Sequence, residues 1–471
     1  MRESFSVSIE ISLWLLMLLI VLAAWSVLDR MLVPSVRWFF RRRINRVLED
    51  VSQHLQIKIE PFRLTKREVL IDRLLYDHEV MEAVELFAHD NDMPREVVME
   101  KVERYAREIV PGFNAYFYFR IGTWLARRTA QLLYRVRLGF VDNEGLAEID
   151  PKSTVVFVMN HRSNMDYVLV AYLAASHTAL SYAVGEWARI WPLQALIRSM
   201  GAYFVRRSSR NPLYRRVLAR YISMATAGGV TQAMFPEGGL TRDGALREPK
   251  MGLLDYMLRS FDPEGQRDLV FVPVGVNYDR VLEDRNLLLD LVEDAPPRTA
   301  LQSAACAAGF ILRNIGQMLT GRWHRFGYAC VNIGTPLSMR RFCQDRDLRP
   351  GNLTGNDRFA AVSEVADELM VSLSSAIPVV PVSIVATVFL NACKALTEFE
   401  LKAEAQSLMA DLEGRGISTY IPRQDRDYSI HVGLRMLTLR HIIEEQDGLF
   451  SVVTEEQTLL AYYANSIAHH L

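Results

Sequence analysis

Short, β-branched apolar runs alternate along much of the chain with longer stretches of helical spacing. "TVVFVMN" (154–160), "GAYFVRR" (201–207), "TQAMFPEGG" (231–239), "LVFVPVGVNYD" (269–279) and "YACVNIG" (328–334) have the composition of strands. The segments 165–176, 211–227 and 249–260 carry apolar residues at helical intervals. The alternation predicts an α/β fold, a largely parallel central sheet flanked by helices. Polar residues gather where these strands end, which is where such sheets place their sites.

The flanks have other patterns. Ile11 to Leu28, "ISLWLLMLLIVLAAWSVL", is eighteen residues without a charge. At ~1.5 Å per residue it is about 27 Å long, near the ~30 Å hydrocarbon thickness. Arg30, Arg37, Arg41, Arg42, Arg43 and Arg46 follow it, so residues 1–30 are expected to form an N-terminal membrane anchor with the chain after it on the cytoplasmic face. Residues 31–111 are rich in charge and helix formers, with Pro94 opening one run and Pro111 closing it; a helical N-terminal region is expected. From Phe113 to Phe140 there is no acid, and Arg120, Arg127, Arg128, Arg135 and Arg137 stand among aromatics. That composition suits a helix at a membrane interface or a core helix whose arginines reach out to water. The main domain is placed at 112–345, with "DRDLRPGNLTGND" (345–357) as a linker and 346–471 as a helical C-terminal region. The uncharged stretch 371–393 holds Pro378 and Pro381, which shorten its apolar run to a buried helix rather than a second span.

Composition narrows the classes. The 471 residues are 50% hydrophobic, enough for a large core, and the formal charge of −1 predicts no bulk attraction to nucleic acid. Cys306, Cys330, Cys343 and Cys393 stand far apart, without metal-ligand spacing, and suit reduced thiols in a cytosolic setting. No metal site is expected.

The chemistry concentrates in "NHRSNMDY", between the first strong strand and its helix. On one continuous helix His161 and Asp166 would sit roughly 140° apart around the axis. They meet if His161 lies in the loop and the helix begins just after it, with Ser163 as N-cap and Asp166 at N3. Such a pair is a general base oriented by an acid. The alternative is that Asp166 only caps and His161 only fills a turn. Downstream, Arg206 and Arg207 end a strand-like run, and "FPEGGLTRDGALREPKMG" supplies Glu237, Gly238, Gly239, Thr241, Arg242 and Lys250. Glycines let amides approach an anion, and Arg and Lys make charge-assisted bonds to phosphate. One base and several cations at successive strand ends suggest deprotonation of a phosphorylated alcohol.

The blocks "NHRSNMDY", "GAYFVRR", "FPEGG-TRDG---PK" and "VPVGVNYDRVLE" occur in the order of the four motifs of the glycerolipid acyltransferases. The resemblance is to the membrane-bound bacterial glycerol-3-phosphate 1-O-acyltransferases, from about residue 110 to 340 by motif and on to "LLAYYANSIAHHL" at the end. It implies that His161 and Asp166 are a catalytic dyad, that Arg206 is the second-motif arginine, and that Glu237, Gly238, Thr241 and Arg242 belong to the acceptor-binding motif. Arg162, Ser163, Arg207, Gly239 and Lys250 join them as candidate substrate contacts. The block around Pro273 is linked in that family to the acyl-donor side. Two departures stand out: Asn164 where the family often has a second histidine, and Leu240 where it often has an arginine.

The resemblance further implies acyl transfer from acyl-CoA or acyl-acyl-carrier protein to glycerol-3-phosphate, with no cofactor beyond that co-substrate and with membrane lipid as a partner. The expected setting is the cytoplasmic face of the inner membrane. His161 takes the hydroxyl proton and the alkoxide attacks the thioester. Amides near the helix start or at the Gly238 turn are candidates for stabilising the oxyanion. Dihydroxyacetone phosphate or lysophosphatidic acid as acceptor is the alternative within the class. A hydrolase or transacylase is disfavoured, since no GxSxG elbow is present. A non-catalytic scaffold would tolerate loss of His161, which this chain retains.

Overall fold

The computed structural model describes residues 61–115, 117–174, 180–185, 193–206, 209–289 and 325–471. The anchor expected at 1–30 and the first part of the expected helical region, 31–60, lie outside them, as do Arg207 and Cys306. No helix among the described residues is long and apolar enough to cross a membrane.

Seven strands lie side by side in the order β1 (Arg135–Val141), β7 (Tyr328–Ile333), β6 (Leu269–Tyr278), β2 (Thr154–Met159), β5 (Gln232–Met234), β3 (Ser181–Val184) and β4 (Tyr203–Phe204). A short β8 (Leu337–Ser338) pairs with β6 beside them. The strands from β6 to β4 are mutually parallel. β7 and β8 run against β6, and β1 follows β7. The fold is therefore mixed α/β with a mostly parallel central sheet flanked by helices. All ten residues of β6 are buried, as expected of an unbroken apolar run covered on both faces. Pro273 is tolerated in this central strand because β8 pairs at Val270 and Phe271 and β7 pairs from Val274 onward. It falls in the gap, where its missing N–H breaks no ladder bond.

Two strands depart from the pattern expected above. Residues 113–140 are not one helix: helix Thr123–Leu133 stops at Tyr134, whose backbone is extended, and β1 begins at Arg135. Tyr134 is buried and donates to the carbonyl of Arg280 at 2.8 Å, which ends the helix by tertiary capture. β3 is only four residues long, too short to register as a period.

Helices Arg67–Leu75, His78–Asp90 and Arg95–Ile109 precede the sheet, with Pro94 at the N-cap of the last. Val80, Val84, Val98, Val102 and Tyr105 share one core with Leu213, Val217 and Tyr221 of helix Pro212–Ala227. The 345–357 stretch turns through Pro350–Asn352 into helix Gly355–Ala376, whose Arg358 bonds the side chain of Asp255 at 2.5 Å. That helix ends against Gly275 of β6, where a Cβ would stand 2.1 Å from the carbonyl oxygen of Ala376. The apolar stretch after Pro378 forms helix Pro381–Ala392, buried over most of its length beside helices Glu398–Gly414, Arg426–Leu439 and Gln457–Ala464. A three-stranded sheet, β10 (Ile443–Gln446), β11 (Leu449–Val452) and β9 (Leu396–Thr397), completes the C-terminal part.

Candidate active site

The site forms where β2 ends. Asn160 continues the β2–β6 ladder with its side chain, donating to the carbonyl of Val276 and accepting its N–H, both at 2.8 Å. The chain then leaves the sheet as a loop, and helix Met165–Ala174 begins four residues after His161. The Asp166 carboxylate turns back on this loop. Its Oδ2 accepts His161 Nδ1–H at 2.9 Å, Arg162 N–H at 2.8 Å and Ser163 N–H at 3.0 Å. Its Oδ1 accepts the Tyr278 hydroxyl at 2.5 Å. Ser163 Oγ accepts Met165 N–H at 3.1 Å, and Asp166 is the second residue of the helix rather than the third after a Ser163 cap, so the expected capping register shifts by one while the His–Asp pair still forms.

The imidazole is as constrained as the carboxylate. Its ring stacks on Phe235 at 4.0 Å between centroids and meets the edge of Tyr167 at 5.4 Å. His161 is 1% exposed. Its N–H donates to Glu237 Oε1 at 2.7 Å and its carbonyl accepts Thr241 N–H at 2.9 Å. With Nδ1 donating to an acceptor-only carboxylate, the neutral ring has Nε2 as its basic nitrogen.

Glu237 serves the loop rather than a solvent-facing surface. Oε2 accepts Arg247 N–H at 3.1 Å, so both oxygens hold main chain. Burial pushes its carboxyl up to about 7, against the lowering effect of those two amides. Thr241 is also an internal brace: its hydroxyl accepts Gly244 N–H at 3.1 Å and lies 2.8 Å from the carbonyl of Ala245. Gly244, at φ +87°, lets the loop press on the C-terminal segment; a Cβ there would meet the carbonyl oxygen of Tyr462 at 1.9 Å.

The fourth sequence block touches the knot directly, which its motif did not foretell. Beside Tyr278, Asn277 Oδ1 accepts Arg162 Nη1–H at 3.0 Å. Glu283 accepts Ser163 Oγ–H at 2.7 Å and Asn164 Nδ2–H at 3.1 Å. Asn164, standing where the resemblance expects a histidine, is thus a neutral donor to a carboxyl that burial raises above its ordinary range. The C-terminal segment closes the other side: the Tyr462 ring lies 5.1 Å from the Arg162 guanidinium, and Ser466 Oγ is 3.3 Å from Asn277 Nδ2. No local pattern signalled this role, since the partners lie 115 or more residues from the loop.

A pocket is lined by Phe235 and Tyr167, the two rings that pack on His161. Its wall includes Arg206, Arg215, Lys250, Ser209, Gly238 and Tyr256. Arg206 is held by Glu108 of helix Arg95–Ile109, Nε to Oε1 at 2.8 Å and Nη2 to Oε2 at 2.6 Å, between the rings of Tyr105 and Tyr214. Lys250 is exposed at the rim. Arg242 is exposed and stands outside the pocket wall, and Gly239 is buried. His161, Arg162, Ser163, Asp166, Glu237 and Thr241 are therefore gathered in one knot, and Arg206, Gly238 and Lys250 in the neighbouring pocket. The amides expected to serve an oxyanion are occupied: those of Arg162 and Ser163 by Asp166, that of Met165 by Ser163 Oγ and that of Gly238 by the carbonyl of Phe235.

Residues 140–277 match the family model described as acyltransferase, and residues 314–471 match that of the glycerol-3-phosphate acyltransferase C-terminal region. Both matches agree with the four-motif resemblance of this chain to the glycerolipid acyltransferases. Curated relatives named glycerol-3-phosphate acyltransferase come from Xanthomonas axonopodis pv. citri (25% identical), Xylella fastidiosa (26%) and Pseudomonas syringae pv. syringae (26%). Each alignment covers 91% of this chain and 48%, 50% and 51% of the respective relative. The chain thus spans about half the length of the curated relatives it matches. A crystal structure of the 1-acyl-sn-glycerophosphate (LPA) acyltransferase from Thermotoga maritima aligns with 54% of this chain and 79% of that one, at 17% identity and a TM-score of 0.31.

Proposed function

We propose that this chain transfers a fatty acyl group from acyl-CoA or acyl-acyl-carrier protein to the sn-1 hydroxyl of glycerol-3-phosphate, forming lysophosphatidic acid. The observation that carries the reading is the His161–Asp166 pair, whose carboxylate is held by Tyr278 and two main-chain amides so that His161 Nε2 is the basic atom. The names of the curated relatives support the choice of acceptor.

In this mechanism His161 Nε2 takes the proton of the acceptor hydroxyl as its oxygen attacks the thioester carbonyl. The tetrahedral intermediate expels the thiolate, which recovers the proton from the imidazolium. Asp166 supports the positive charge in between. No acyl-enzyme forms. Arg206 and Lys250, with Arg215 beside them, form the cationic wall that receives the acceptor phosphate next to the Phe235–His161 stack. Arg162, Ser163, Glu237, Gly239 and Thr241 act from behind, shaping the loop.

The enzyme works at the cytoplasmic face of the inner membrane, anchored by residues 1–30. Helix Thr123–Leu133 supplies a second contact with lipid: Trp124 is 58% exposed, with Leu125, Leu132 and the arginines Arg127 and Arg128 also outward. The test is incubation of the purified chain with radiolabelled glycerol-3-phosphate and palmitoyl-CoA, followed by separation of the lipids. Labelled lysophosphatidic acid is the expected product. Product from dihydroxyacetone phosphate or lysophosphatidic acid but not from glycerol-3-phosphate overturns the acceptor assignment.

A further inference from the structure

Outside the acceptor pocket, the described residues hold a second cavity, of about 520 Å³, at the β1 edge of the sheet. Arg135, Arg137 and Arg325 line it, with Gln131 and Tyr134. No carboxylate lines it. Arg137 donates from Nε to the Tyr420 hydroxyl at 3.2 Å, and the Arg135 guanidinium lies 5.7 Å from the Tyr328 ring centre. These partners are neutral, and the buried carboxyl of Asp279, whose charged form Arg135 favours, stands outside the cavity wall. A multiply charged anion is the ligand such a cavity fits.

Register places this cavity at the reacting end of the sheet. Asn160 aligns with Val276, and β7 sets Asn277 opposite Cys330. β1 in turn sets Arg137 opposite Cys330. Arg137 is therefore on the same rung as Asn277, whose side chain holds Arg162 next to His161. Three strand spacings of ~4.8 Å separate β2 from β1, about 14 Å in all. Tyr134 bridges part of that distance: it lines the cavity, and its ring lies 5.2 Å from that of Tyr278, the donor to Asp166.

We propose that this arginine cavity binds the phosphate groups of the thioester donor. The inference rests on the acyl-transfer reading of the His161 site. An acyl thioester of CoA carries its phosphates at the far end of the pantetheine arm, so a donor with its carbonyl at His161 needs an anion site displaced along the protein surface. The acceptor pocket lies toward β4 and β5 and the arginine cavity toward β1, so the two substrates approach His161 from opposite sides of β2.

The test compares the full chain with an Arg137→Ala/Arg325→Ala variant. Calorimetric titration with CoA alone should show binding weakened about tenfold or more, on the scale of two lost charge-assisted contacts. The KM for palmitoyl-CoA should rise by a similar factor. The KM for palmitoyl-pantetheine, which has no phosphate, and that for the acceptor should not change. Should the double variant fail to fold by circular dichroism, Arg325→Ala alone changes one exposed side chain and carries the same comparison. An unchanged CoA affinity and palmitoyl-CoA KM overturns the proposal. Unchanged CoA binding with weakened binding to phosphatidylglycerol vesicles makes the ligand a lipid headgroup and overturns it equally. CoA binding lost in the variant while the parent chain acylates no glycerol-3-phosphate leaves the site standing and rejects the acceptor assignment instead.

Discussion

The Tyr278 hydroxyl donates to Asp166 Oδ1 at 2.5 Å, on the oxygen opposite the one that receives His161 Nδ1–H. Burial and the neighbouring carboxylate both raise the phenol well above its ordinary range, so it remains a donor. Removing it strips one of four hydrogen bonds from the carboxylate and concentrates negative charge toward the imidazole. Tyr278→Phe is expected to fold, since its ring packs against Tyr134 without needing the hydroxyl. The acidic limb of its kcat/KM profile should move to higher pH, because a more basic partner stabilises the imidazolium. The groups facing the pair are Glu237, Glu283 and Arg162, none of which the substitution alters. A profile superimposable on the parent enzyme assigns Tyr278 to packing alone.

Asp166→Asn separates charge from shape. The asparagine carbonyl still accepts from the loop amides and its NH₂ faces the Tyr278 oxygen, so the melting temperature should shift little. The negative charge is gone, and kcat should fall by about 10²–10⁴, approaching His161→Ala. The double variant should be scarcely worse than either single one, because the two residues act as a unit. An active but early-melting Asp166→Asn would make the residue a cap only.

Glu108 occupies the fork of Arg206 that a phosphate would use. Glu108→Gln removes a negative charge beside the acceptor pocket while keeping the side chain's length. The acceptor KM should fall about fivefold, on the order of 1 kcal/mol for a partly exposed ion pair, and Arg206→Ala should raise it. Donor KM should be indifferent to both. A higher acceptor KM in Glu108→Gln would show that Glu108 orients Arg206 rather than competing for it.

Glu237 gives stability a pH dependence. Its carboxyl titrates near 7 in the folded chain against an ordinary 4.5, so folding favours the protonated form. The stabilisation is present below 4.5 and is lost as pH rises through about 7. Thermal melts should show the parent chain losing stability across that window more steeply than Glu237→Gln. Asp279, pushed up to about 7 by burial, acts with the same sign and leaves a residual slope. Equal slopes in the two proteins would place the titration elsewhere.

The sequence by itself determined the α/β class, the strands β2 and β6, and the meeting of His161 with Asp166. Each of these rests on short-range pattern: apolar runs, and a loop-to-helix junction only five residues long. Helix Arg95–Ile109 and the buried helix Pro381–Ala392 were legible for the same reason, since a proline marks the start of each. Only the tertiary structure decided β1, because Tyr134 leaves its helix for a partner 146 residues away. The roles of Tyr278, Asn277 and Glu283 likewise appear only after folding brings them 112 to 120 residues back to the knot. The division of the cations was also beyond pattern. Arg206, Arg242 and Lys250 look alike in sequence, yet a carboxylate from a distant helix holds the first, and of the other two, both exposed, only Lys250 lines the pocket. Local spacing specifies which groups neighbour each other along a turn; charge pairing and burial depend on which surfaces the fold presses together.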